Sequence, residues 1–160
     1  MCAVTCPVVW SLAKTEVLPP PTVGPVYVFP AFPVPVPLHV LVADDSAVVR
    51  RHLVEMLGQI ADVEVVAEAV DTPSAVAEAE AHRPEVVVLD IQMPGDGGIA
   101  ALQRIHRMLP DTRVIMLTNH ADPIYRRKCL REGASHFFDK ATEFTEVGET
   151  VRRLVGGAEA

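Results

Sequence analysis

The chain has 160 residues, 49% of them hydrophobic, which fits one domain with a sizeable core. A formal net charge of −7 and an isoelectric point near 5.3 argue against a nucleic-acid surface. Cys2, Cys6 and Cys129 are the three cysteines, with no Cys/His cluster around them. That argues against a cysteine metal site or a disulfide framework and fits a reducing compartment, so a cytoplasmic location is expected. No apolar run reaches the roughly 18 residues that span a bilayer, so no membrane association is expected. The apolar stretch from Cys2 to Ala13 has no basic residue before it, unlike a secretory signal.

Residues 1–37 differ in composition from the rest. They contain Pro7, Pro19, Pro20, Pro21, Pro25, Pro30, Pro33, Pro35 and Pro37, and their charges are Lys14 and Glu16. Proline removes amide donors and fixes φ, which rules out a helix or central strand there. The expectation is a disordered Pro-rich N-terminal extension, with a ligand for a proline-recognising partner as the alternative.

From Leu38 the pattern alternates strand and helix. Val40–Ala43 reads as a buried strand, and Val49, Leu53, Met56, Leu57 and Ile60 as one helical stripe. Val63–Ala67 is a second strand. Thr72-Pro73 reads as an N-cap followed by proline at the first helical position, opening a helix that runs to His82. Glu85–Leu89 is a third strand, continuously apolar from Val86, as when both faces are covered. Gly95, Gly97 and Gly98 suggest a flexible loop before a helix marked by Ile99, Leu102, Ile105 and Leu109. Arg113–Leu117 is the fourth strand, Asp122-Pro123 opens the next helix, and Gly133 ends it. Ser135–Phe138 is a short fifth strand, followed by a helix with Phe144, Val147, Val151 and Leu154 on one side. Five βα units predict an α/β domain over residues 38–157: a (βα)5 doubly wound parallel five-stranded sheet.

Chemistry gathers at the carboxyl ends of these strands. Asp44 and Asp45 follow the first, Asp90 the third, Thr118 the fourth and Lys140 the fifth. In an open parallel sheet those ends converge on one crevice. Adjacent Asp44 and Asp45 repel unless a cation neutralises them, and Mg²⁺ suits carboxylates combined with phosphate oxygens. Asp90 can serve as metal ligand and as a carboxylate nucleophile, and Lys140 can neutralise a phosphoryl oxygen. Singly, each has a plainer reading: an Asp capping the helix near Ser46, Thr118 as a helix cap, Lys140 as a surface lysine. Their shared placement at strand ends favours one pocket.

Residues 38–155 resemble the receiver domain of two-component response regulators. The matching segments are Val-Ala-Asp44-Asp45-Ser, Leu-Asp90-Ile-Gln-Met-Pro94-Gly-Asp-Gly-Gly98, Met-Leu-Thr118 and Gly133-Ala-Ser-His-Phe-Phe-Asp-Lys140. The resemblance implies a flavodoxin-like strand order of 2-1-3-4-5. It also implies roles. Asp90 would be the phosphoacceptor, charged by a histidine kinase or histidine phosphotransfer protein. Asp45 would hold Mg²⁺ directly, Asp44 through water, and the backbone carbonyl of Gln92 would complete the protein ligands. Lys140 would contact the phosphoryl group. Thr118 would swing toward it, and Phe137 would follow inward as an aromatic switch. Gln92 and His120 occupy positions that line solvent access and would tune the phosphorylated lifetime. Output would come from the face of the fourth helix, fifth strand and fifth helix.

Three departures stand out. Ala141 follows Lys140 where the family often has proline, so that loop is expected to lack a cis peptide. Asn119 stands where a small residue is common, and Phe137 has no hydroxyl. A basic run, Arg126, Arg127, Lys128 and Arg131, offers either a solvated face or a docking surface for an acidic partner or a second copy. His52 and His106 read as surface residues.

No residues remain after the fifth helix for a helix-turn-helix, so the expected output is protein contact, with an unknown downstream target and a possible phosphorylation-dependent homodimer. A turnover enzyme is not expected. Phosphatases of the haloacid-dehalogenase type also use a strand-end Asp with Mg²⁺, but usually carry a second Asp two residues on, where this chain has Gln92, which cannot act as a general acid. The remaining alternative is a phosphorylation-independent receiver-like interaction module.

Overall fold

The computed structural model describes residues 36–157. The Pro-rich extension expected over residues 1–37 falls almost wholly outside them. Five strands and five helices alternate: β1 Leu38–Ala43, α1 Ala47–Leu57, β2 Val63–Ala69, α2 Thr72–His82, β3 Val86–Leu89, α3 Gly98–Met108, β4 Arg113–Thr118, α4 Pro123–Arg131, β5 His136–Asp139 and α5 Phe144–Val155. All strand pairs are parallel and the sheet order is β2-β1-β3-β4-β5. The fold expected from the sequence is the fold observed.

Side chains on a strand alternate between faces, and here each face has its own apolar layer. Val40, Val42, Val86, Val88, Ile115 and Leu117 point to one side, where Leu53 and Leu57 of α1 and Val147 and Val151 of α5 cover them. Leu41, Ala43, Val87, Leu89, Val114 and Met116 point to the other, against Ala75 and Ala79 of α2, Leu102 and Ile105 of α3 and Cys129 of α4. Both faces of β3 are covered, which explains its unbroken apolar run. Burial raises the Cys129 thiol's pKa, so this cysteine is a core side chain and not a reactive one.

Local chemistry sets the helix starts. Ser46 caps α1 and Asp122 caps α4, its side chain accepting from the Ile124 amide at 2.7 Å. The start of α2 differs from the sequence reading. Asp71 is the N-cap, and Thr72-Pro73 lie inside the first turn. The Asp71 carboxylate accepts from the Ser74 amide at 2.8 Å, and Ser74 Oγ accepts from the Asp71 amide at 3.3 Å. This reciprocal box outcompetes a threonine whose side chain is already buried.

Gly98 is also a correction. It is not part of a flexible loop but the first residue of α3. A Cβ there would lie 1.8 Å from the Asp90 carbonyl oxygen and 2.8 Å from Ile91 Cα. Glycine lets the helix start abut the backbone that carries Asp90. The order of strands reverses between β1 and β3, and the crevice opens there. The register pairs Ala43 with Leu89, so the residues that follow, Asp44 and Asp90, leave the sheet side by side.

Candidate functional site

The Asp90 amide donates to the Ala43 carbonyl at 2.9 Å, fixing the two loops together as they leave the sheet. Lys140 enters from the end of β5, its own amide bonded to the Thr118 carbonyl at 3.0 Å. Its ammonium bridges two carboxylates: Nζ lies 2.6 Å from Asp44 Oδ2 and 2.8 Å from Asp90 Oδ2. The three side chains are almost fully enclosed, at 7%, 2% and 5% exposure respectively. Lys140 is therefore no surface lysine.

Each remaining carboxylate oxygen has a different setting. Asp44 Oδ1 accepts from the Ser46 amide at 2.9 Å. Asp90 Oδ1 is buried and has no hydrogen-bond partner. Asp45 is exposed at the rim. Asp44, Asp45 and Asp90 each offer an oxygen within 4.8 Å of the other two, the one such acidic group among the described residues. These are hard oxygen donors of the kind Mg²⁺ takes, and the orphaned Asp90 oxygen is a vacant acceptor within the cluster. The donor set fits the ion.

Burial pushes the Asp44 carboxyl's pKa up, opposed by its bonds to Lys140 and to the Ser46 amide. Burial alone would lower the Lys140 pKa, but its hydrogen bonds to Asp44 and Asp90 outweigh that, and the net direction is upward. The ammonium stays charged and neutralises part of the pocket.

The other expected residues take distinct places. Thr118 is fully buried at the end of β4, and its hydroxyl accepts from the His120 amide at 3.2 Å. Phe137 is buried on β5, its ring facing the α3 and α4 layer. The Arg126 guanidinium sits 5.4 Å from that ring's centroid and donates to the Phe137 carbonyl at 2.7 Å. Arg126 also pairs with Glu143 at 3.5 Å. Gln92 and His120 are exposed at the pocket's loops. The Gln92 loop is held where the Thr72 amide donates to the Pro94 carbonyl at 3.0 Å. No cis peptide occurs among the described residues, the Lys140–Ala141 bond included. Arg127, Lys128 and Arg131 line a groove on α4 with Ile124, and His52 and His106 are exposed.

Sequence reasoning missed Arg50. This α1 side chain reaches back to the Asp44 carbonyl at 2.8 Å and the Asp45 carbonyl at 3.3 Å. The one signal for it in the sequence is a basic residue in the first turn after an acidic pair.

Residues 40–152 match the response regulator receiver domain family. This chain belongs to that family. It is 35% identical over 121 residues to the oxygen regulatory protein NreC of Staphylococcus epidermidis, covering 75% of this chain and 56% of that one. It is 33% identical to the response regulator UvrY of Escherichia coli, covering 75% and 55%. Among solved structures, the signal receiver domain of NarL from Mycobacterium tuberculosis superposes with a TM-score of 0.71 at 32% identity, covering 77% of this chain and 99% of that one. The response regulator domain of Thermotoga maritima CheB gives 0.65 at 33% identity, covering 76% and 96%. The receiver chain spans about half the length of the curated relatives it matches. The receiver family is a signalling domain of two-component systems, and its members typically bind Mg²⁺ at an acidic cluster. Among the described residues no helix is long and apolar enough to cross a membrane.

Proposed function

We propose that this receiver takes a phosphoryl group from a phosphohistidine onto Asp90, with Mg²⁺, and passes the signal on by protein contact through the α4–β5–α5 face. The donor would be a histidine kinase or a histidine phosphotransfer protein. One observation carries the reading. The Lys140 ammonium holds one oxygen of Asp90 at 2.8 Å, while the other, Oδ1, stays buried without a partner. A carboxylate fixed in direction at one oxygen and unpaired at the other has acceptor capacity left for a cation or a phosphoryl group.

In the transfer, an Asp90 oxygen forms a bond to phosphorus as the donor's P–N bond breaks. The bonding pair returns to the imidazole nitrogen, leaving an acyl phosphate on Asp90. Lys140 then pairs with a phosphoryl oxygen. Asp45, Asp90 and the Gln92 carbonyl would hold Mg²⁺, which supplies positive charge to the phosphoryl oxygens when bound. Asp44, with its two oxygens bonded to Lys140 and the Ser46 amide, would act through water. Hydrolysis later returns inorganic phosphate and the free carboxylate, so the protein assists its own chemistry without being a turnover enzyme. Thr118 would turn toward the new phosphoryl group, and Phe137 would respond on β5. Gln92 and His120, exposed beside the pocket, would set how fast water arrives. The Ile124, Arg127, Lys128 and Arg131 groove on α4 suits an acidic target or a second phosphorylated copy.

The test is incubation with Mg²⁺ and acetyl phosphate, followed by intact mass. Wild type is expected to gain about 80 Da, the mass of one added phosphoryl group. Asp90→Asn is expected to gain nothing. An adduct that persists in Asp90→Asn would overturn the assignment of Asp90.

A further inference from the structure

The loop carrying Asp44 and Asp45 is three residues long, from the end of β1 at Ala43 to the start of α1 at Ala47. The Asp44 carboxylate lies in the pocket and the Asp45 carboxylate at its rim, and the loop's carbonyls are met by one side chain. Arg50 Nη1 donates to the Asp44 carbonyl at 2.8 Å and to the Asp45 carbonyl at 3.3 Å. Arg50 Nε pairs with Glu68 Oε2 of β2 at 3.3 Å, and the Arg50 side chain is only 15% exposed. A planar guanidinium anchored at one edge can hold both peptide units at the other edge in a fixed orientation.

We infer that Arg50, anchored by Glu68, is a positioning residue that sets the direction of the Asp44 and Asp45 carboxylates toward the Mg²⁺ site. This rests on the reading that the acidic cluster binds Mg²⁺. Outer partners that orient a ligand commonly change metal affinity by 10- to 100-fold when removed.

The sign of the effect separates this role from a simpler one. Arg50 is also a positive charge close to an acidic cation site. If charge were its whole contribution, removing it would tighten Mg²⁺ binding. If it orients the carboxylates, removing it weakens binding despite the lost repulsion. Arg50→Lys keeps the charge but cannot reproduce the two-edged hold.

The experiment is a Mg²⁺ titration of the whole chain followed by amide chemical shifts, for wild type, Arg50→Gln, Arg50→Lys and Glu68→Gln. Urea unfolding in EDTA is measured alongside. Both Arg50 variants are expected to weaken Mg²⁺ binding about tenfold or more. Glu68→Gln, which keeps an acceptor for Arg50 Nε but removes the anchor's charge, is expected to act in the same direction by less, and it carries the test if an Arg50 variant does not fold. A purely structural role would lower stability in EDTA and leave the Mg²⁺ affinity of the folded protein unchanged, and that result overturns the inference. Tighter binding in Arg50→Gln overturns it as well. Wild type that binds no Mg²⁺ refutes instead the reading beneath it.

Discussion

Neutralising Asp45 should stabilise the protein without Mg²⁺ and destabilise it, relative to wild type, with Mg²⁺. Asp45 is exposed, and one of its oxygens lies within 4.8 Å of oxygens from both Asp44 and Asp90. At that distance each like-charge pair costs about 0.9 kcal/mol in a water-like dielectric. Lys140 is engaged with Asp44 and Asp90, and offsets part of this sum through its attraction for Asp45. Asp45→Asn is therefore expected to gain about 1 kcal/mol in EDTA. With a urea slope of roughly 1–3 kcal/mol/M, the midpoint rises by about 0.5 M. Wild type in Mg²⁺ at a hundred times the dissociation constant gains about 2.7 kcal/mol, and the variant loses most of that increment. The two unfolding curves should therefore exchange order between EDTA and saturating Mg²⁺. A variant that is less stable than wild type in EDTA, or that keeps the full Mg²⁺ increment, would refute the reasoning.

Gly98→Ala forces a methyl to within 1.8 Å of the Asp90 carbonyl oxygen, so α3 or the Asp90 loop must move. The expected loss is at least about 3 kcal/mol by urea unfolding, with slower acetyl phosphate labelling of the folded protein; an unchanged midpoint would show that the close approach is not needed. Arg126→Ala removes the cation over the Phe137 ring and a bond to the Phe137 carbonyl, worth together about 1–2 kcal/mol. Exchange broadening of Phe137 ring resonances should increase, and relaxation dispersion identical to wild type would count against the contact. Asp71 has a pKa lowered by the Ser74 side-chain and amide bonds, so its contribution to α2 is complete above the ordinary value of 3.8. That contribution is lost as pH falls through the lower folded value. Asp71→Asn, which cannot titrate, should show a shallower fall in thermal midpoint across that acid window; parallel wild-type and variant curves would exclude the cap as the cause.

The central strands β1, β3 and β4 were legible because each holds an apolar run bounded by polar or turn residues, and their burial on two faces left no competing period. The carboxylates, Thr118 and Lys140 were legible as a group because strand ends in a parallel sheet converge. What stayed hidden depends on contacts across the fold. Nothing local distinguishes Thr72 from Asp71 as a cap until the reciprocal bonds of Ser74 are seen. Gly98 looks like one more loop glycine unless the approach of α3 to the Asp90 carbonyl is known. Arg50 joins two loop carbonyls to Glu68, 18 positions away, and no periodic pattern records such a clamp.

The sheet also works as a partition. Phe137 and Phe138 are neighbours in the chain, yet Phe137 belongs to the α2–α3–α4 side and Phe138 to the α1–α5 side. A rearrangement of Phe137 can loosen one compartment while the other keeps its packing. A protein seated on α1 and another seated on α4 would then sense each other through the strands between them and through the Arg126–Glu143 pair that joins α4 to the start of α5. Labels on these two adjacent rings would report the two compartments independently, from positions a single peptide bond apart.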